Sequence, residues 1–307
     1  EVARLFGQIA GDSIFKVPSL THLIGGGLFG IGMVLAGGCV FGTLYKLGSG
    51  NVTALYAFFG LILGNNLYAE IHPAWKKLAG ATKLTTAKNL PQLLGVPADI
   101  FFIGTLIVLC GLLLHWQRKG QLVRPNVVKG YLQPRTAALL LAFGSLLTLT
   151  LGGMPLGITA SYAKIGSFLE KQLLPNHFAS IGMFQSQGLH FYSPLSGKTL
   201  TGGLGPFWDG LALLQFPILA GVILGAAFSA IRMGKFQFRF NIPKVQLVSA
   251  LIGGIVMSLA ARMSSGCNIL HLMGGVPLLE LQSLLFLLGL FPGAWLGTRL
   301  LTRFVLR

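Results

Sequence analysis

Acidic residues are nearly missing from this chain: 7 Asp and Glu stand against 23 Lys and Arg in 307 residues, and charged residues of both signs make up only 10%. A soluble domain carries about 25% charged residues, so a water-soluble globule is excluded. Cysteine is scarce as well, with three in the chain. No Cys-x-x-Cys spacing or paired His accompanies them, so no metal centre and no cofactor are expected. A Gly-x-x-x-x-Gly-Lys-Ser/Thr loop is absent too, which argues against primary pumping by this chain alone.

What is abundant is apolar. Hydrophobic residues make up 53% of the chain and mean hydropathy is +0.74, enough for several spans of about 20 residues. Residues 101–116 form the clearest one, with Asp99 as its only early charge and Arg118-Lys119 as its stop. Residues 52–68, 136–151, 211–231 and 278–301 have similar quality, and glycine-broken spans fall at 20–36 and 245–261. The pattern predicts an all-α polytopic membrane protein with roughly seven crossings.

Between residues 152 and 206 short apolar pieces are cut by Gly152-Gly153-Met154-Pro155, Pro175 and Gly202-Gly203-Leu204-Gly205-Pro206. None is long enough to span. Re-entrant or interfacial helices and an amphipathic outside loop fit this stretch equally well.

The net charge of +16 would suit nucleic acid, but its placement argues for topology and against nucleic acid. Arg118, Lys119, Arg124, Lys129 and Arg135 share one connection, Arg232, Lys235, Arg239 and Lys244 another, and Arg299, Arg303 and Arg307 the C-terminal end. An even number of crossings separates these clusters, so all of them, the C-terminus included, face the cytoplasm under the positive-inside rule. Lys76, Lys77, Lys83 and Lys88 then fall outside, against the rule.

An internal repeat carries the rest. Leu23-Ile24-Gly25-Gly26 leading to Gly38-Cys39 recurs 228 residues later as Leu251-Ile252-Gly253-Gly254 leading to Gly266-Cys267, without a gap. The proposed spans place the copies in opposite orientations, as inverted repeats with broken or re-entrant helices, dividing a single membrane domain into halves 1–151 and 152–307. Helices starting at such breaks aim N–H groups at the bilayer centre, where an anion is otherwise poorly solvated. Isolated glycines more often serve close helix packing; glycines flanking a repeated cysteine favour a site at Gly38, Cys39, Gly266 and Cys267. Cys110, inside a plain span without a counterpart, reads as structural.

The run from Gly30 through Gly37-Gly38-Cys39-Val40-Phe41-Gly42 to Asn51 resembles the signature of the YeeE/YedE sulfur-transport family of bacterial membrane proteins, and Ala261-Arg262-Met263-Ser264-Ser265-Gly266-Cys267-Asn268 resembles its second-half motif. The resemblance implies a transporter of the bacterial inner membrane, not an enzyme, that imports thiosulfate or a related sulfur anion. It implies cysteine S–H groups passing the anion inward by successive hydrogen bonds, with Cys39 and Cys267 matching two functional cysteines. It also implies a small cytoplasmic sulfur-carrier protein as partner. Family members carry another cysteine in an Arg-x-x-Phe-Cys-like stretch, which nothing in residues 1–20 matches.

Lys46 after the first thiol and Arg262 before the second are candidates to draw the anion, with snorkelling to the interface as the plainer role. Asn268 is a candidate path residue. For His271 a helix-end role, for Glu280 an anchoring role and for Asn65-Asn66 bonds to helix backbone are the simpler readings. A membrane-embedded sulfur-transfer or redox enzyme, and a carrier of a selenium compound, are the competing functions.

Overall fold

The computed structural model describes residues 15–121, 132–238 and 240–306. The N-terminal stretch lacking the expected cysteine, and Arg124, Lys129, Arg239 and Arg307 of the basic clusters, lie outside these residues for the most part.

Helix α1 (Leu20–Leu35) ends at a turn in which Gly37 takes φ +72, and α2 (Val40–Gly48) completes the same crossing. After Gly50 and Asn51, whose Oδ1 caps the next helix by accepting from the Ala54 N–H at 3.1 Å, α3 (Val52–Ala81) returns. It outruns the expected 52–68, because Pro73 and the polar residues beyond Tyr68 continue the helix instead of ending it. A short α4 (Leu90–Leu94) precedes α5 (Ala98–Arg118) and α6 (Pro134–Gly152). After the segment discussed below come α10 (Gly210–Arg232), α11 (Lys244–Met263), a π-helical turn at Leu270–Gly275 and α12 (Leu281–Phe304).

Seven helical segments among the described residues are long and apolar enough to cross a membrane, α1 and α2 counting as one broken span. The protein is therefore a polytopic membrane protein built chiefly of helices. Side chains of α5 such as Ile103, Ile107 and Leu113, and of α6 such as Leu139 and Phe143, point outward, as lipid-facing helices do.

Glycines record how the two repeats interlock. A methyl on Gly26 of α1 would stand 2.1 Å from the Phe286 carbonyl oxygen of α12, and one on Gly254 of α11 would stand 2.3 Å from that of Ala57 in α3. Gly289 and Gly293 of α12 abut Leu23 and Gly27, while Gly60 and Gly64 of α3 abut Leu251 and Ile255. Each contact of α1 on α12 thus has its counterpart in α11 on α3. The two repeats pack crosswise here, and only hydrogen fits at the crossing points.

Residues 153–209 fold inward. After Gly153, helix α7 (Thr159–Leu173) runs beside α3: Tyr162 packs edge-on against Phe58 at 5.6 Å between ring centroids, Gly166 accepts from Asn66, and His177 of α8 (Pro175–Ser180) meets Glu70. The chain follows α3 from the level of Phe58 to that of Glu70 and packs into the helical bundle. Its helix is about 22 Å long, too short to span. After α9 (Gly182–Gln185) an antiparallel hairpin, β1 (Leu189–Ser193) and β2 (Lys198–Gly202), departs from the all-helical expectation. Alternation in Leu-His-Phe-Tyr-Ser buries Phe191, and the Tyr192 backbone rests on Gly153, where a methyl would stand 1.8 Å from its carbonyl oxygen. Lys164 of α7 anchors the returning chain through Asp209 at 2.8 Å and the carbonyls of Gly205 and Phe207.

Candidate functional site

The two Gly-Cys breaks fold alike. In each, a helix ends in a turn, one residue takes the left-handed conformation (Gly37 at φ +72, Ser265 at φ +65), the cysteine two residues on lies outside any helix, and a new short helix begins. Cys39 (φ −72, ψ 179) caps α2, its Sγ accepting from the Gly42 N–H at 3.4 Å. The Cys267 sulfur faces the N–H groups of Ile269 and Leu270, and its carbonyl accepts from His271 at 3.1 Å. No disulfide joins the thiols: both are free, Cys39 partly exposed and Cys267 buried.

Close to both lies a residue that the sequence did not signal. Tyr162 is fully buried, lies within electrostatic range of both thiols, and directs its hydroxyl toward the Val40 carbonyl at 3.5 Å. Nothing in Ser161-Tyr162-Ala163 marks it, because its neighbours come from elements more than a hundred residues away.

Beside the second break, whose Ser265 and Leu270 are part of its lining, a cavity of about 750 Å³ extends along the α3 end that carries Lys76. Lys16, His22, His72, Lys76, Lys83 and Arg262 line it, and no Asp or Glu does among the described residues. Two of the lysines that ran against the positive-inside pattern thus line a vestibule. Leu270 forms part of its floor, and a methyl on Gly266 would stand 2.3 Å from Leu270 Cδ2.

The other expected residues distribute around this axis. Gly38 is open enough that a methyl would meet only Gly42 and Thr43 at ordinary contact distance. Lys46 donates to the Gly37 carbonyl, closing the first break on the side away from the vestibule. Arg262 lies on the vestibule wall, its Nε donating to Asn65 Oδ1 at 2.7 Å. Asn268 begins the short helix after Cys267 and keeps a buried, unpartnered Oδ1. His271 is fully buried, bonded to Ser283 Oγ at 2.8 Å and stacked on Phe286. Cys110 sits on the outward face of α5.

One group of ligand-type side chains occurs among the described residues: Glu70, Glu170 and His177 converge within 4.8 Å. The imidazole bridges the two carboxylates, at 2.8 Å to Glu170 and 3.4 Å to Glu70, and so ties α8 to α7 and α3.

Broken helices meeting inside a bundle of lipid-facing spans define a membrane transporter architecture. The comparisons specify the class. Residues 3–296 match the model of the family described as sulphur transport, and the chain belongs to that family. It is 30% identical over 292 residues to the thiosulfate transporter TsuA of Spirochaeta thermophila, covering 90% of this chain and 77% of that one. With TsuA of Escherichia coli the identity is 23% over 283 residues, covering 91% and 73%. The probable transporter YedE of Escherichia coli is 28% identical over a shorter stretch of 91 residues, 30% of this chain and 21% of its own. These relatives are named as transporters, not enzymes.

Proposed function

We propose that this protein imports thiosulfate, or a closely related sulfur anion, along a path from the cationic vestibule past Cys267 and Tyr162 to Cys39. The observation that carries this reading is the placement of two free thiols, each at the start of a short helix and both within electrostatic range of one buried tyrosine, next to a vestibule whose charged lining residues, among the described residues, are all basic. A vestibule of one charge sign raises the local concentration of counter-ions. Below it, S–H groups are weak donors that orient a sulfur-terminated anion without trapping it, which conduction requires.

Gly38 leaves room beside the first-half thiol, Gly266 lets the chain pack closely against Leu270 beside Cys267, Asn268 adds a polar atom after Cys267, Arg262 holds the anion before the first thiol, and Lys46 receives it after the second. The vestibule then faces outward from the bacterial inner membrane, with the basic connections and the C-terminus in the cytoplasm. The halves 1–151 and 152–307 contribute one thiol each. A small sulfur-carrier protein removing the product at the Lys46 side would keep the flow inward.

Uptake of labelled thiosulfate into liposomes containing the purified protein tests the reading. Cys39→Ala and Cys267→Ala are each expected to abolish uptake while the protein remains monodisperse. Normal uptake by both variants would overturn it.

A further inference from the structure

Arg262 is held in an unusual way for a partly buried cation. Its Nε donates to Asn65 Oδ1 at 2.7 Å, and Nη2 is buried without a hydrogen-bond partner. Among the described residues no carboxylate reaches it. Asp209 is committed to Lys164, Glu70 and Glu170 share His177, Glu280 lies beside Asn89 in a backbone bridge, and Asp99 opens α5. A buried charge without compensation costs several kcal/mol, and folded proteins commonly meet that cost with Asp or Glu. This one uses an amide.

Asn65 itself is almost completely buried and fully engaged. Its Nδ2 donates to the Leu61 carbonyl at 2.9 Å and to Ser258 Oγ on α11, which fixes the amide so that Oδ1 faces the guanidinium. An aspartate would fill the same space and pair with Arg262, removing its charge from the vestibule. The amide orients the arginine and leaves its charge whole.

We propose that Asn65 is a positioning residue that presents an unneutralised Arg262 guanidinium to the oxyanion end of the substrate at the vestibule floor. This rests on the anion path proposed above and specifies how the anion enters it. Guanidinium N–H groups match the paired oxygens of a sulfonate-type group, and the Cys267 thiol lies within electrostatic range of the same guanidinium. The anion therefore enters with its oxygens on Arg262 and its terminal sulfur toward Cys267. Sulfate shares the oxygen face but lacks the sulfur end, so it occupies Arg262 and competes.

Asn65→Asp in proteoliposomes tests this. The expected result is a rise of about tenfold or more in the thiosulfate concentration giving half-maximal uptake, corresponding to about 1.4 kcal/mol of binding, with a parallel loss of inhibition by sulfate; the Leu61 carbonyl loses its Nδ2 donor, so the thermal midpoint also falls, and Arg262→Gln, which leaves that bond in place, separates the two effects. Arg262→Gln is expected to behave alike, and calorimetric titration of purified protein with thiosulfate and with sulfate reads binding directly. Unchanged half-saturation and sulfate inhibition in Asn65→Asp would overturn the inference. Failure of the thiol path is a separate result: both Cys→Ala variants would then transport normally while Asn65→Asp still lost anion affinity.

Discussion

Gly32 and Gly253 face each other reciprocally: a methyl built on either would stand 2.8 Å from the carbonyl oxygen of the other. This is where α1 and α11, the first helices of the two repeats, cross. Under the repeat the pair maps onto Ala260 and Gly25, whose methyl would likewise approach the Ala260 carbonyl, at 3.3 Å. The breaks bearing Cys39 and Cys267 are carried on these two helices, so the spacing of the thiols depends on how closely the backbones approach.

Gly253→Ala is accordingly expected to be severely damaging, because its methyl would stand 2.3 Å from the Ala36 nitrogen, a backbone atom that cannot yield alone. Overpacking of this sort costs about 1–3 kcal/mol. Gly221→Ala in α10, with open space around it, should be neutral or slightly stabilising. Thermal unfolding of the two variants in detergent provides the comparison, and equal midpoints would contradict the packing described.

Ser265 occupies the left-handed conformation that its counterpart Gly37 adopts without a Cβ. Ser265→Gly removes a strain of about 1 kcal/mol, offset in part by the added freedom of the unfolded chain. A small rise in thermal midpoint is expected, and Ser265→Val, branched at Cβ, should fall well below wild type. The order Gly, Ser, Val is the diagnostic result.

Asp209 serves three donors: Lys164 Nζ at 2.8 Å, the Gly203 N–H at 2.9 Å and the Ala212 N–H at 2.9 Å, where it caps α10. Asp209→Asn would leave the Lys164 charge buried and unpaired, at a cost of about 3 kcal/mol or more. Combining it with Lys164→Met should recover part of the loss. Folded yield by size exclusion and thermal midpoint would record both effects, and full stability of the single variant would refute the role of the pair.

Burial raises the Glu280 carboxyl to about 7, even with Lys88 nearby pulling it down. An acid whose folded value lies above its unfolded value binds more protons when folded, so its contribution to stability is present at low pH and declines between about pH 4.5 and 7. Glu280→Gln should remove that decline from a plot of thermal midpoint against pH. A slope identical to wild type would assign it to another group.

Much of the architecture was legible along the chain. Runs of apolar residues set the seven crossings, since a bilayer core of fixed thickness demands them locally. The repeat was legible because glycine spacing and a cysteine are preserved at one offset. Asn65 and Asn66 read as backbone binders, and Asn65 does bond the Leu61 carbonyl, but its acceptor takes Arg262 from α11. Residues 152–206 read equally well as a loop, since their burial comes from α3 and α10 and not from their own periodicity.

The sequence by itself determined a membrane protein with two Gly-Cys breaks in opposite orientations and few acidic residues to spare. The tertiary structure alone decided that Tyr162 lies near both thiols, that Lys76 and Lys83 line a vestibule, and that an amide rather than a carboxylate holds Arg262. Crossings follow from local hydrophobicity, which each segment carries within itself. Those contacts join elements a hundred or more residues apart, and their geometry exists only once the two repeats have packed crosswise.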